Sequence, residues 1–231
     1  MSLSDLSEST QNYLKEIWGI SEWSQQVPTT TLLAQKTGNR PSSVSDALRR
    51  LANADLISYR PYAPIELTEL GKKYAVSMVR RHRLLETFLV QVLNYPIDKV
   101  HDEAEVLEHA VSDIMIERID ALLGHPTRDP HGDPIPAEDG TVDNPEQSTL
   151  TDYLLEHCCQ NPQRLRIERV SDKDAKILSF FIQHQLVPGK TILVRGSRNL
   201  EDIQVRHEGS SESIELSSEQ GQKIFVIECE S

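Results

Sequence analysis

His82-Arg83-Leu84-Leu85-Glu86 and His101-Asp102-Glu103-Ala104-Glu105-Val106-Leu107-Glu108-His109 lie in two stretches of helical periodicity. On a helix, side chains three and four apart share a face. His82 and Glu86 therefore sit together, as do His101, Glu105, Glu108 and His109. Two facing helices with such imidazoles and carboxylates can close around a divalent cation. The bland reading is a pair of solvated faces carrying i,i+4 ion pairs. The apolar character of both helices weighs against it, because charged groups on a buried face need partners.

Outward from this pair, the N-terminal third reads as a sequence of short elements. Residues 6–23 carry Leu6, Tyr13, Leu14, Ile17, Trp18 and Ile20 at helical spacing. Thr29-Thr30-Thr31 offers capping hydroxyls for a helix through Thr37, and Gly38-Asn39 ends it. Pro41 opens a second short helix, Ser43 to Ala52. Leu56–Arg60 and Ile65–Thr68 read as strands about a turn at Pro61-Tyr62-Ala63-Pro64. Helix, turn, helix and hairpin form the winged-helix arrangement, whose second helix enters a DNA major groove. Arg40, Arg49, Arg50 and Arg60 lie where phosphate contacts are needed, and Pro41, Ser42, Ser43, Ser45 and Asp46 stand at the start of the reading helix.

Thr68 caps a long helix from Glu69 to about Leu93, stopped by Tyr95-Pro96. A further helix is expected over 100–123, with Ala104, Leu107, Val111, Ile114, Ile119 and Leu122 buried. This pair is too apolar to stand alone beside a small winged helix, so a homodimer seam is expected, matching palindromic DNA sites. Residues 124–148 are rich in breakers and read as a linker. Beyond a short helix over 149–159, several short strands with one helix around 174–184 suggest a small β-barrel domain.

Composition bounds the function. The formal net charge is −12, but residues 1–95 hold 11 Lys and Arg against 9 Asp and Glu, whereas residues 96–231 hold 13 against 27. An acidic body behind a near-neutral DNA reader suits a protein that binds DNA only after cations arrive, and an ordinary acidic soluble protein equally, so the asymmetry permits the reading without deciding it. No apolar run approaches the roughly 18 residues of a membrane span. The N-terminus lacks the basic and apolar regions of a secretory signal. Cys158, Cys159 and Cys229 give no disulfide framework, which favours a reducing cytoplasm. No Ser-His-Asp, phosphate-loop or HExxH pattern supports an enzyme. A metal-dependent enzyme and a winged-helix regulator sensing an organic ligand are the alternatives to a metal-responsive regulator.

Four segments carry a more specific likeness: Arg40-Pro41-Ser42-Ser43-Val44-Ser45, Arg81-His82-Arg83-Leu84-Leu85-Glu86, Val100 to His109, and Pro130-His131-Gly132-Asp133-Pro134-Ile135-Pro136. In this order and spacing the chain resembles the diphtheria-toxin-repressor (DtxR) family, and its manganese-responsive branch in particular. The resemblance implies a mainly α fold with a small β part. Its parts would be a winged helix-turn-helix over 1–72, a helical metal-binding and dimerisation domain with linker over 73–148, and an SH3-like (FeoA-type) barrel over 149–231. It implies a homodimer that binds a palindromic double-stranded operator when metal is bound and represses metal-uptake genes. The corepressor would be Mn²⁺, or alternatively Fe²⁺, at about two sites per chain.

Carried over residue by residue, one site would use Glu105, Glu108 and His109, joined by His82 in the manganese-responsive branch. A second would use Glu86 and His101, with His82 in the iron-responsive branch. In some longer manganese sensors it draws instead on loop and barrel, where Asp129, His131 and an acid such as Asp172 or Asp174 match. Iron-responsive members carry Cys where this chain has Glu105. A carboxylate there hardens the site toward Mn²⁺. The family also takes a ligand, Met or Asp, from the N-terminal helix. The aligned residue is Asn12, whose amide oxygen can coordinate without bringing charge. The neighbouring ligand position of manganese sensors is Lys15, which cannot ligate as an ammonium; Glu8 and Glu16, one turn from Asn12, are the substitutes.

Overall fold

The computed structural model describes residues 3–23, 26–60, 63–143, 147–157 and 161–229. The chain forms two compact units, each discontinuous in sequence. The first comprises Met1–Leu85, Glu105–Ala121 and Ile135–Val142; the second comprises Glu86–Ala104, Leu122–Pro134 and Asp143–Ser231. Among the described residues no helix is long and apolar enough to cross a membrane.

In the first unit, helices α1 (Glu8–Trp23), α2 (Thr30–Thr37) and α3 (Pro41–Asn53) precede a two-stranded antiparallel wing, β1 (Ile57–Ser58) and β2 (Glu66–Leu67). Thr29 caps α2 by accepting from Leu32 N–H, and Gly38 ends it in the left-handed conformation at φ 65°. Pro41 stands at the first turn of α3, where its missing N–H leaves no helical bond unmade. Leu14, Ile17 and Ile20 of α1 pack with Leu33, Val44, Leu48, Leu51, Ile57 and Ile65. The wing strands are shorter than the periodicity predicts. Of the expected turn, Pro61 and Tyr62 lie outside the described residues.

Helix α4 (Glu69–Gln91) begins where Thr68 Oγ1 accepts from Gly71 N–H at 3.0 Å. At Gly71 a β-carbon would stand 1.8 Å from the carbonyl oxygen of Leu56, so helix and wing meet backbone to backbone. Within this unit Arg83 pairs with Glu22 through two bonds of 2.9 and 2.6 Å, tying α4 to α1.

The helix expected over 100–123 is two helices, α5 (Val100–Leu107) and α6 (Asp113–Leu122). Arg81 explains the break: its buried guanidinium donates to the carbonyls of Glu108 at 3.2 Å and Val111 at 2.7 Å, and it pairs with Asp113. Helix-terminal carbonyls lack intrahelical donors, and a cation that supplies them makes a stable stop. Ser112 then caps α6 by accepting from Met115 N–H. Ile114 and Leu122, expected in the core, are instead exposed, as are Val106 and Met115; Leu107 and Val111 are half-buried.

The second unit contains a six-stranded antiparallel sheet ordered β3-β8-β4-β5-β6-β7. Its strands are β3 (Ser148–Thr149), β4 (Gln163–Val170), β5 (Thr191–Arg195), β6 (Ile203–His207), β7 (Ile214–Leu216) and β8 (Ile224–Glu228). Three helices accompany it: α7 (Leu150–Glu156), α8 (Ala175–Gln183) and the one-turn α9 (Ser218–Gly221). Alternate residues Leu165 and Ile167, Ile192 and Val194, Ile203 and Val205, and Ile224 and Val226 fill the core with Phe181 and Leu178. Helix α7 is shorter than the stretch expected over 149–159, and Cys158 and Cys159 lie outside the described residues.

The expected linker is in part a folded, buried element. Residues 129–134 form a tight loop in which Asp129 Oδ1 accepts from the N–H groups of His131 and Asp133 at 2.8 and 2.9 Å. His131 O accepts from Val170 N–H, and Asp133 pairs with buried Arg169 where the register of β4 shifts. At Gly132, φ is 89° and a β-carbon would stand 1.9 Å from Glu168 O, so the turn admits only glycine without displacement.

Because neither backbone at the contact can yield like a side chain, Gly71→Ala is expected to destabilise the first unit by about 1–3 kcal/mol. Calorimetry of the full chain should show a lowered thermal midpoint; an unchanged midpoint would contradict the close approach.

Candidate metal centres

The first unit gathers one group of ligand-bearing side chains. Helix α4 supplies His82 and α5 supplies Glu105. Glu108 and His109 follow in the turn created by the Arg81 stop, so the set does not project from one continuous helix face as the spacing predicts. His82, Glu105 and Glu108 offer ligand atoms all within 4.8 Å of one another. His82 Nδ1 donates to Glu108 Oε2 at 2.6 Å and lies 3.8 Å from Glu105 Oε1. His109 Nε2 lies 3.5 Å from Glu108 Oε1, at the margin of the group.

Helix α1 reaches the same place with two residues whose part in it the sequence did not announce. Gln11 donates from Nε2 to the carbonyls of Leu3 at 3.1 Å and Leu6 at 2.9 Å, which orients its amide. Its Oε1 therefore accepts from His109 Nδ1 at 2.8 Å. In the neutral ring that bond puts the proton on Nδ1 and the lone pair on Nε2, the arrangement that prepares a histidine to ligate. Lys15 donates from Nζ to Glu105 Oε1 and to Glu108 Oε1, both at 2.5 Å. Burial opposes ionisation of Glu108, but the hydrogen bond from His82 and the charges of His82 and Lys15 outweigh it and hold the carboxyl below its ordinary range. Burial likewise works against the Lys15 ammonium, and the two carboxylates prevail and raise its pKa.

His109 Nε2 is buried without a hydrogen bond, and so is the amide oxygen of Asn12, which stands on α1 beside Gln11 and one turn before Lys15. A buried polar atom left unpaired costs about 1–3 kcal/mol. Both are lone-pair donors, so an added cation would satisfy them and an added anion would not. Glu8 is exposed, and neither it nor Glu16 joins a ligand group among the described residues.

The second unit holds the other group. Glu86, His131 and Asp172 offer ligand atoms within 4.8 Å of one another. His101 Nδ1 joins them, 3.0 Å from Asp172 Oδ2 and 3.3 Å from Glu86 Oε1. His131 donates from Nε2 to Ile97 O at 3.1 Å, while its buried Nδ1 faces Glu86 Oε2 across 3.8 Å with no hydrogen bond. Of the two versions of this site that the sequence leaves open, the fold brings elements of both together. Asp129 is absent from the ligand group and shapes the loop that carries His131. Asp174 caps α8, accepting from Lys176 and Ile177 N–H.

Electrostatics in this group is dominated by its acids. Burial disfavours the charged imidazoles, yet bonds and charges from Asp172 and Glu86 push His101 up to about 11. Glu86, Asp129 and Asp172 push His131, against its burial, to about 10. Asp172, opposed by burial and held by His101, falls to about 2. Oxygen and imidazole donors in a carboxylate-rich pocket fit a hard or borderline divalent cation.

On the winged helix, Val44, Ala47, Leu48 and Leu51 are the buried face of α3. Arg40, Pro41, Ser42, Ser43, Asp46, Arg49, Arg50 and Arg60 are exposed. Arg49 pairs with Asp46 at 2.7 Å, and Ser45 Oγ donates to Pro41 O. The structure thus leaves the N-terminal half of α3 and its arginines facing solvent.

Three family models cover most of the chain. Residues 5–64 match the iron dependent repressor N-terminal DNA binding domain, and residues 68–137 match the iron dependent repressor metal binding and dimerisation domain. Residues 155–228 match the FeoA domain. The diphtheria toxin repressor of Corynebacterium efficiens is 34% identical over 134 residues, a stretch that spans 58% of this chain and only 58% of that repressor's own length. A solved manganese-dependent transcriptional repressor in complex with manganese superposes with a TM-score of 0.86 at 41% identity, covering 95% of this chain and 100% of that one. The manganese regulator SloR superposes with a TM-score of 0.76 at 30% identity, covering 95% and 98%. With DNA-binding, metal-binding and FeoA modules matched in this order, the chain belongs to the diphtheria-toxin-repressor family of metal-dependent DNA-binding repressors.

Proposed function

We propose that this protein is a Mn²⁺-dependent transcriptional repressor that binds a palindromic operator as a homodimer in the cytoplasm, with two metal sites per chain. The observation that carries the reading is the pair of largely buried carboxylate–imidazole groups, each with a buried imidazole nitrogen that faces a carboxylate without a hydrogen bond. One site is assigned to His82, Glu105, Glu108 and His109 with Asn12, the other to Glu86, His101, His131 and Asp172. Glu105 in place of a thiolate favours Mn²⁺ over softer ions, and the manganese-dependent repressor that superposes over 95% of this chain supports that choice over Fe²⁺. We assign DNA reading to residues 1–72, metal binding and dimerisation to 73–148, and an SH3-like module to 149–231. Exposed Val106, Ile114 and Met115 supply apolar surface for the dimer seam.

Bound metal supplies positive charge that several carboxylates can share. The chain's own residues do the rest. Gln11 orients His109, Arg81 holds the turn that places Glu108, and Asp129 and Gly132 set His131. Coupling to DNA requires only that the operator-competent state hold the ligands in better register than the alternative. The family comprises transcriptional repressors rather than enzymes.

Three outcomes test the reading. Operator binding by chelator-treated protein is expected to rise on adding Mn²⁺ by the equivalent of about 1–3 kcal/mol, and His109→Ala to lose that stimulation while keeping its circular dichroism spectrum. Equal operator affinity for wild type and His109→Ala, with and without Mn²⁺, would refute the switch. Arg49→Ala and Arg50→Ala should each weaken binding across sequences and reduce the salt slope by about one. A slope unchanged in both would place α3 away from the phosphates. Finally, His101 and His131 hold protons at neutral pH, since their values lie at about 11 and 10. Ligation needs the neutral ring, so Mn²⁺ binding should release protons and tighten as pH rises. Titration calorimetry in two buffers of different ionisation enthalpy reads this directly; identical heats would contradict it.

A further inference from the structure

We propose that Lys15 is the resident cation of the α1-side metal site, so that metal binding there is an exchange in which the Lys15 ammonium withdraws from Glu105 and Glu108. The inference rests on the assignment of His82, Glu105, Glu108 and His109 as ligands, and extends it to a residue that cannot itself coordinate. Lys15 Nζ lies 2.5 Å from Glu105 Oε1 and 2.5 Å from Glu108 Oε1. A metal ion ligated by these carboxylates needs the same oxygens. The second oxygen of Glu108 is held by His82 at 2.6 Å, so both oxygens of that carboxylate already carry a partner and an ion beside the ammonium would crowd it.

Charge decides the same way. Two carboxylates and one ammonium leave a single negative charge when the imidazoles are neutral. Adding a divalent ion while Lys15 stays would bury two cations in contact and reverse the sign of the site. Adding it as Lys15 leaves brings the site to neutrality. The Glu108 side chain has 0% exposure, so water cannot screen the mismatch there. Lys15 retains 13% exposure, and its charge sits on a flexible four-carbon stem, so the ammonium can reach solvent by rotating the stem without moving α1.

The rival is that Lys15 stands in for metal permanently. Two atoms argue against it. With the ammonium in place, Asn12 Oδ1 and His109 Nε2 remain buried without partners. Gln11 holds His109 with its Nε2 turned toward Glu108, 3.5 Å from Oε1, rather than away. An arrangement completed by lysine would have no use for either. Exchange makes Lys15 a threshold device: the loss of its ion pairs is the same whichever divalent ion enters, so it weakens all of them alike and raises the free-metal concentration at which this site fills.

Two measurements test this. Chelator-treated wild-type protein is acetylated with an N-hydroxysulfosuccinimide ester, with and without Mn²⁺, and each lysine is read by mass spectrometry against Lys36 as internal reference. Lys15 should become several-fold more reactive with Mn²⁺, and His109→Ala should abolish the rise. In titration calorimetry, Lys15→Met should bind Mn²⁺ at the His109-dependent site about tenfold or more tightly than wild type. His109-dependent binding seen only in Lys15→Met also supports exchange. If Mn²⁺ binds in a His109-dependent way while Lys15 stays protected and Lys15→Met gains nothing, the exchange is wrong and the metal site stands. If neither protein shows His109-dependent Mn²⁺ binding, the metal site fails and the exchange with it.

Discussion

Buried carboxylate charge is the constraint on which this structure turns. Glu108 in the first unit and Glu86 in the second are 0% and 1% exposed. An ionised carboxylate removed from water is tolerated only where cations and hydrogen-bond donors replace the lost hydration. Much of what is distinctive in each unit does that work. His82 and Lys15 meet Glu108; His101 and His131 meet Glu86. Removing one partner would leave a buried charge unmatched, so these groups hold their surroundings in place even before any ion is considered.

Position within the first group depends on a second buried charge. Arg81 ends α5 by taking the carbonyls of Glu108 and Val111. Had the helix run on, Glu108 and His109 would have stayed in its regular ladder. The stop instead puts them in a turn, where Glu108 reaches His82 and His109 reaches Gln11 of α1. One guanidinium thus sets both the geometry of the candidate ligands and the start of α6 through Asp113. A lysine could not serve, since a single ammonium lacks the planar fork that reaches two carbonyls and a carboxylate at once.

The winged helix and the clustering of acids and imidazoles were legible in the sequence because both are written in short-range signals: caps at Thr29 and Thr68, Gly38 as a helix stop, and acids and imidazoles at helical spacing. The sequence did not show the break at 108–112, because its cause is Arg81, distant in sequence. The Ser112-Asp113 pair, a capping hydroxyl followed by an acid, was the local trace of it. Nor did it show that 129–134 is a buried loop, because Pro, Gly and Asp there read equally well as linker. What distinguishes the two is the backbone bonding around Asp129 and the close approach of Gly132 to Glu168. Gln11 carried no signal at all. An amide on an amphipathic helix is ordinary until its partners are seen. Lys15 was legible as a residue that cannot ligate, and only the fold shows its ammonium between the two carboxylates.

The two groups meet the same electrostatic demand by chemically different means, and that difference has consequences. In the second unit the positive partners of Glu86 and Asp172 are imidazoles, and an imidazolium becomes a metal ligand by losing a proton without moving its ring. That group can pass from self-neutralised to ligating while every heavy atom stays where Asp129 and Ile97 hold it. In the first unit the partner of Glu105 and Glu108 includes an ammonium, which offers no lone pair while charged and whose pKa the two carboxylates raise against the effect of burial. It can yield only by displacement. On the assignments proposed above, one group answers to proton concentration and the other to side-chain position. A chain carrying both would have two chemically different handles on when its carboxylates become available to a cation.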